Sequence, residues 1–454
     1  MVRSAAVRGA EASGGRQVLS GWGNYPRVAV HSITASDPAE AVSAIRGNEN
    51  LIARGNGRAY GDAALNLRVT LSMLPARRIL AFDAETGRLT CEAGLMLADI
   101  LDLIVPRGWF VPVSPGTRFV TVGGMVAADV HGKNHHVAGT FGDHVEAIEL
   151  ALADGRIVRC SPAENAGLFA ATRGGMGLTG VILSVSFRLI PIETAFIRQE
   201  THKAANLAEA MDLFERSGGW TYSVAWIDCL ARGGSLGRSL VYLGEHARRE
   251  DLKRGAASPL AVVPKTGRRI PVDFPGFVLN RWSVRAFNEL YYRTGRPGTA
   301  LLGYETYFYP LDGILEWNRM YGGAGFVQYQ CVLPKAASAA GLTALLRRVA
   351  QAGTGSFLAV LKLFGAQDGL LSFPMEGYTL ALDFPATART FSLLIELDAI
   401  VADHGGRLYL AKDARTGAAM LRRGYPRLAA FEAVRREIDP GSKFASLQSE
   451  RLGL

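Results

Sequence analysis

Apolar and polar positions follow two different periods along this chain, and their alternation predicts an α+β architecture. Val28 to Glu49 has the pattern of a strand entering a helix, with Asp37 and Pro38 at the helix start and Ala41, Val42 and Ile45 on one face. Leu51 to Asp62 begins as a short apolar strand and breaks into a glycine-rich loop. Ile79 to Asp83 and Arg88 to Ala93 form a strand pair across the Glu85-Thr86-Gly87 turn. Met96 to Val105 has helical spacing, ended by Pro106 and Gly108, and the strand Trp109 to Val113 follows. Asp154-Gly155 joins Glu146 to Ala153 and Arg156 to Cys160 as a hairpin. Ser161-Pro162-Ala163-Glu164 is expected to open a helix with a serine cap, before the strand Val181 to Leu189.

Pro191 to Glu193 marks a boundary. Beyond it, strands at Thr221 to Asp228, Ser239 to Leu243, Gly325 to Val332 and Tyr378 to Phe384 are interleaved with helices at Ala336 to Ala352 and Arg389 to Ala402. This predicts an antiparallel sheet with helices on one face. Arg407 to Leu454 adds a strand and a helix of its own.

Composition narrows the classes. The 454 residues suit two or three domains of roughly 150 residues each. With 48% hydrophobic and 20% charged residues the chain is globular, and no apolar run is long enough to cross a bilayer. Met1 to Ser20 lacks the apolar core of a secretory signal and is expected to be a disordered lead-in. Cys91, Cys160, Cys229 and Cys331 are far apart, which argues for separate reduced thiols. The formal charge is +9, yet no nucleic-acid-binding signature accompanies it. Between His246 and Pro297 eleven Lys or Arg oppose four Asp or Glu, interleaved with Phe274, Phe277, Trp282, Phe287, Tyr291 and Tyr292. That mixture suits either a membrane surface or a solvated basic loop.

Chemistry concentrates in three glycine clusters: Leu51 to Asp62, Val113 to Val145, and Ala171 to Gly180. The first fits neither the dinucleotide fingerprint nor a P-loop, but its unpaired N–H groups can form an anion nest. Three such clusters in one α+β region point to one shared ligand.

The motifs ARGNGRAYGD (Ala53 to Asp62), PGTRFVTVGG (Pro115 to Gly124) and GGMGLTG (Gly174 to Gly180) resemble flavoproteins of the vanillyl-alcohol oxidase, or PCMH-type FAD-binding, fold. HGKNHH (His131 to His136), FVQYQ (Phe326 to Gln330), SFLAVLKLFG (Ser356 to Gly365), LDFP (Leu382 to Pro385) and RLYLAKDART (Arg407 to Thr416) narrow the likeness to the decaprenylphosphoryl-β-D-ribose 2-oxidases, the oxidative half of a ribose-to-arabinose epimerase. The likeness runs from Gly21-Trp22-Gly23 to about Phe444.

The resemblance implies a two-part FAD-binding domain, residues 1–190 and 407–454, and a substrate-binding cap, residues 191–406, built on an antiparallel sheet with helices. It implies FAD contacts from Ala53, Arg54, Gly55, Asn56, Gly57, Arg58, Ala59 and Tyr60; from Gly116, Thr117, Thr121, Val122, Gly123, Gly124 and Ala128; from His131, Gly132, Asn134 and His135; and from Gly177, Gly180, Val181 and Tyr409. Lys412, His131 and Tyr60 are the implied catalytic groups. Lys133, Trp226, Gln328, Gln330, Lys362 and Asp383, with Lys412, are the implied substrate contacts.

The implied reaction is oxidation of the 2-hydroxyl of a polyprenyl-phosphoryl ribose to the 2-keto sugar, which a separate NAD(P)H-dependent reductase completes. The implied location is the cytoplasm, with peripheral contact on the inner face of the membrane. Covalently flavinylated relatives carry R-G-x-G-H in the first loop; here Arg58 holds the histidine position, so FAD is expected to be bound non-covalently. Two departures stand out: Ala381 where actinobacterial relatives have a cysteine, and Ser446 to Arg451 in place of an acidic, double-arginine ending. A soluble alditol or aldonolactone oxidase of the same fold is the main alternative, and a zinc hydrolase using HGKNHH a remote one.

Overall fold

The computed structural model describes residues 15–252, 258–261, 267–276 and 278–454. Of the expected lead-in, residues 1–14 lie outside the described residues. Gly15–Ser20, expected to be disordered, is instead a strand antiparallel to Arg27–Thr34. It is an edge strand with mostly exposed side chains, so backbone pairing holds it and no apolar period announces it.

Arg27–Thr34, Val69–Ser72 and Ile52–Arg54 run parallel beside one another and complete a four-stranded sheet. The helix Pro38–Gly47 lies between them in the chain, capped by Asp37, whose carboxylate accepts from the Glu40 N–H at 2.8 Å. A second sheet orders Ile79–Asp83, Arg88–Glu92, Val181–Arg188, Val145–Ala151 and Ile157–Cys160, all antiparallel. Its central strand Val181–Arg188 is buried on both sides rather than alternating. Ile182, Val185 and Phe187 enter one core while Val181 and Leu183 enter another.

Two expectations for this half need correction. The strand Trp109–Phe110 stops before Val111, because Val111 to Val113 find burial rather than a ladder partner. Ser161 does not cap a helix. Its hydroxyl accepts from the Ala163 and Glu164 N–H groups in a local turn, and the helix starts later, at Ala166–Thr172. Serine's short side chain serves a turn as readily as a cap.

The third sheet sets the site. Its eight strands run in the order Gly298–Gly303, Phe196–Ala204, Ser239–His246, Tyr222–Ile227, Ala359–Phe364, Gly377–Pro385, Phe326–Pro334 and Arg407–Leu408. Every pairing is antiparallel. Side chains alternate across such a sheet with a period of two. Val327, Tyr329, Cys331 and Leu333 therefore join Leu361, Leu363, Leu380 and Leu382 in a core with the helices Lys335–Ala352 and Ala388–Asp403. The intervening residues Gln328, Gln330, Val360, Lys362 and Ala381 stand on the opposite face, toward a cavity. The four cysteines are buried and separate.

Candidate active site

The glycine loops and the free face of the eight-stranded sheet enclose a cavity of about 580 Å³. Two loops clasp each other on the first side. The Asn56 side-chain amide donates to the Phe119 carbonyl at 2.8 Å. Gly57 adopts φ +63°, and a Cβ there would fall 2.3 Å from the Arg54 guanidinium, which holds the Ser20 carbonyl at 2.7 Å. Burial lowers the Arg54 pKa to about 10. Gly116 is different: a Cβ added there meets nothing within 4 Å and would stand in open space at the cavity wall. Thr121 caps the short helix Val122–Ala127 by accepting from the Gly124 N–H at 3.3 Å.

All of Ala53 to Tyr60 line the cavity, as do Gly116, Thr117, Thr121, Gly123, Gly124, Ala128, His131, Gly132, Gly180 and Tyr409. Five expected cofactor positions stand back from it. Val122 and Val181 are fully buried core residues. The Asn134 side-chain amide donates to the Pro112 carbonyl at 2.8 Å. His135 Nδ1 accepts from the Gly365 N–H at 3.2 Å while its Nε2 meets Gln367 at 3.1 Å. Gly177, at φ +80°, packs toward Ile52.

The histidines of HGKNHH do not converge. His136 Nε2 meets the Trp220 carbonyl at 2.9 Å, and His131 Nε2 meets Gln330 Nε2 at 3.1 Å. Among the described residues no group of three His, Cys, Asp or Glu is arranged to hold a metal.

Three lysines bring charge to the cavity. Lys133, Lys362 and Lys412 all line the cavity with Trp226, Gln328 and Gln330. Lys133 Nζ donates to the Tyr307 carbonyl and lies 4.1 Å from the Tyr307 ring centre. Lys412 Nζ lies 3.6 Å from the Tyr60 ring centre. Burial lowers the Lys362 pKa to about 8, and burial together with the Lys362 charge lowers that of Lys133 to about 7. Burial also lowers the Lys412 pKa, opposed by the Asp383 carboxylate and aided by Lys362. Asp383, the cross-strand partner of Gln328, does not itself line the cavity; its Oδ1 accepts from Gln328 Nε2 at 2.6 Å and burial raises its pKa. The Tyr60 phenol is held protonated, pushed well up by burial and by Asp383.

His131 is neutral, its pKa driven well down by burial and the neighbouring cations. With Gln330 Nε2 donating to its Nε2, the ring carries its proton on Nδ1, which has no partner among the described residues.

Other lining residues had no motif to mark them. Tyr307, Asp312 and Trp317 come from a region without clear periodicity. Tyr242 and Gln199 sit on strands facing the cavity, so the sheet's alternation is the signal that could have found them.

Residues 26–161 match the family model of an FAD binding domain. The chain is 38% identical to the decaprenylphosphoryl-β-D-ribose oxidase of Mycolicibacterium smegmatis across 96% of this chain and 97% of that protein. The chain belongs to the decaprenylphosphoryl-β-D-ribose oxidase family. An uncharacterized protein of Streptomyces coelicolor is 39% identical over 79% of this chain and all of its own length. Bovine L-gulonolactone oxidase is 32% identical over 36% of this chain and 37% of its own.

The cofactor of this flavoprotein is FAD. The glycine loops fit it, because close backbone approach and free N–H groups suit a pyrophosphate, and the cavity volume lies within the usual small-molecule range of about 300–1,000 Å³.

Proposed function

We propose that this chain oxidises the 2-hydroxyl of a polyprenyl-phosphoryl ribose to the 2-keto sugar. The observation that carries the reading is that Lys133, Lys362 and Lys412 line the same cavity as the glycine loops that suit FAD. An end-to-end relative bearing the name of that oxidase supports the same substrate class.

Bound FAD supplies the two-electron acceptor for the carbinol carbon. The chain must manage the proton and the charge. Lys412, its pKa lowered by burial, is the group able to accept the hydroxyl proton as a neutral amine, with Asp383 behind it to favour the ammonium that results. Lys362 and Lys133 offer positive charge to the substrate phosphate, which offsets the cost of burying them. Gln330 and the rings of Phe364, Phe373 and Tyr409 fix the neutral His131 ring at the edge of the cavity. Trp226 and Tyr291, with ring centres 4.8 Å apart, and Tyr242, whose hydroxyl meets that of Tyr291 at 3.0 Å, line the cavity beside the helix Arg281–Thr294.

Cofactor binding falls to residues 1–190 and 407–454 in this reading, and substrate binding to 191–406. Supporting it, the glycine loops lie in the first range and most of the eight-stranded sheet in the cap range. Arg407–Leu408 forms that sheet's last strand, so the two parts share a seam there. FAD is held without a covalent bond, since Arg58 stacks 3.9 Å from the Trp22 ring centre and a protonated guanidinium cannot act as the nucleophile that bonds the flavin methyl carbon as a histidine does.

The 2-keto product calls for a separate NAD(P)H-dependent reductase to complete the epimerisation. Peripheral contact with the inner face of the membrane suits a lipid-linked substrate. The helix Arg281–Thr294 exposes Trp282, Phe287 and Leu290 beside Arg281 and Arg285. Phe277, Lys253, Arg254 and Lys265 of the same basic-aromatic stretch lie outside the described residues. Among the described residues no helix is long and apolar enough to cross a membrane.

Product trapping tests the assignment. Quenching a turnover mixture with borodeuteride is expected to place deuterium at C2 of the sugar in both ribo and arabino products. Deuterium at another carbon, or none, would overturn it.

A further inference from the structure

The reactive pair sits on two loop tips that a third element joins from behind. Tyr60 ends the first glycine loop, and Lys412 ends the turn Leu410–Lys412. Their backbones meet directly: the Tyr60 N–H donates to the Ala411 carbonyl at 2.9 Å. A Cβ on Gly61 would lie 2.0 Å from the Asp413 carbonyl oxygen, so only glycine allows the loops to press this close.

Next to each tip is a buried carboxylate. Asp62 and Asp413 have side chains only 6% and 4% exposed. Arg451, on the last helix Leu447–Leu452, reaches both. Its Nη2 and Nε bind the two Asp62 oxygens at 2.8 and 3.2 Å, and its Nη1 binds Asp413 Oδ2 at 3.0 Å and the Thr416 carbonyl. The other Asp413 oxygen accepts from the Arg415 and Thr416 N–H groups at 3.0 and 2.9 Å. Gln448, on the same helix, donates to the Leu410 carbonyl at 2.7 Å. Arg451 itself does not line the cavity.

We propose that Arg451 is a positioning residue that fixes Lys412 over Tyr60 by bridging Asp62 and Asp413. The proposal rests on Lys412 being the reactive amine of the reaction proposed above. A planar guanidinium can serve two carboxylates at fixed angles, which a point charge cannot. It also neutralises two anions close to Lys412. The groups that face Lys412 from other elements are Tyr60 on the first loop, Asp383 and Lys362 on the sheet, and His131. Against that background a lost guanidinium leaves extra negative charge and raises the proton affinity of Lys412. A lost carboxylate at Asp413 lowers it.

The two substitutions Arg451→Gln and Asp413→Asn therefore shift Lys412 in opposite directions, whereas simple loosening of the loops would shift both alike. The readout is the reactivity of Lys412 toward limiting acetic anhydride as a function of pH, followed by peptide mass mapping of FAD-loaded protein. It needs no turnover. Arg451→Gln is expected to move the Lys412 titration upward and Asp413→Asn downward, with FAD content unchanged. Arg451→Lys, which keeps the charge and loses the fork, is expected to leave the titration near its original place while the rate of flavin reduction still falls about tenfold with KM little altered. If a substitution prevents folding, Arg451→Lys alone decides: a normal reduction rate overturns the proposal. Shifts in the same direction, or no shift, also overturn it. A wild-type Lys412 that titrates like an ordinary surface lysine would instead refute the reading of Lys412 as the reactive amine, so the two failures are distinct.

Discussion

Lys412 illustrates how surroundings change what a side chain can do. An ordinary lysine amine stays protonated at neutral pH and cannot accept a proton, but burial among other cations lowers its affinity while Asp383 keeps the ammonium form within reach. Lys412→Ala is expected to retain FAD and to lose flavin reduction by at least about a hundredfold, about 2.7 kcal/mol of barrier. With the neutral amine as the proposed active form, the wild-type rate should rise with pH along a limb centred below the ordinary lysine value. A variant reducing its flavin at the normal rate would remove Lys412 from the mechanism.

Lys362 makes the complementary point. Its pKa is lowered to about 8, so the folded state binds fewer protons than the unfolded chain between that value and an ordinary lysine's of about 10.4. A base depressed in this way costs stability below its folded pKa, on the order of 3 kcal/mol, and the cost disappears as pH rises past the unfolded value. Lys362→Met should raise the thermal midpoint of substrate-free enzyme at pH 7 while weakening substrate binding at least about tenfold. A lower midpoint together with unchanged KM would contradict both halves of the argument.

At the scale of elements, much of the site was legible because a strand's period of two decides which side chains share a face. FVQYQ and LKLFG place Gln328, Gln330 and Lys362 on the cavity side, and their intervening apolar residues on the helices. Phe196–Ala204 escaped notice because most of its residues are half-buried on both faces, and Gly298–Gly303 because it is an exposed edge. Asp383 belongs to the same face and pairs with Gln328 across the ladder, yet it is fully buried and does not line the cavity, which no one-dimensional pattern encodes. The role argued for Arg451 depends on two carboxylates far away in sequence, so its own helix gives no sign of it.

The first glycine loop supports a further prediction. Arg58 stacks against Trp22 at 3.9 Å and near Phe119 at 5.3 Å, held where flavinylated relatives place a histidine nucleophile. Acid denaturation should leave yellow FAD in the supernatant. A yellow pellet containing a peptide of FAD-shifted mass would refute non-covalent binding.

Across the whole molecule, the cavity joins loops from the N-terminal part with the face of a sheet built mostly from the middle of the chain. The helix Arg281–Thr294 connects that cavity to the surface, because Tyr291 lines the interior while Trp282 and Leu290 stand exposed. Neutralising Arg268, Arg269, Arg281 and Arg285 should reduce co-sedimentation with anionic liposomes, as should raised salt, which screens exposed charges beyond roughly 8–10 Å. Unchanged sedimentation would count against membrane contact through this stretch.

The substrate itself is tested most directly by anaerobic stopped-flow absorbance of the FAD-loaded enzyme. Mixing with polyprenyl-phosphoryl ribose is expected to bleach the flavin within the turnover time, while free alditols and aldonolactones at equal concentration leave it oxidised. Flavin that stays oxidised with the lipid-linked ribose but bleaches with an alditol or lactone would contradict the account.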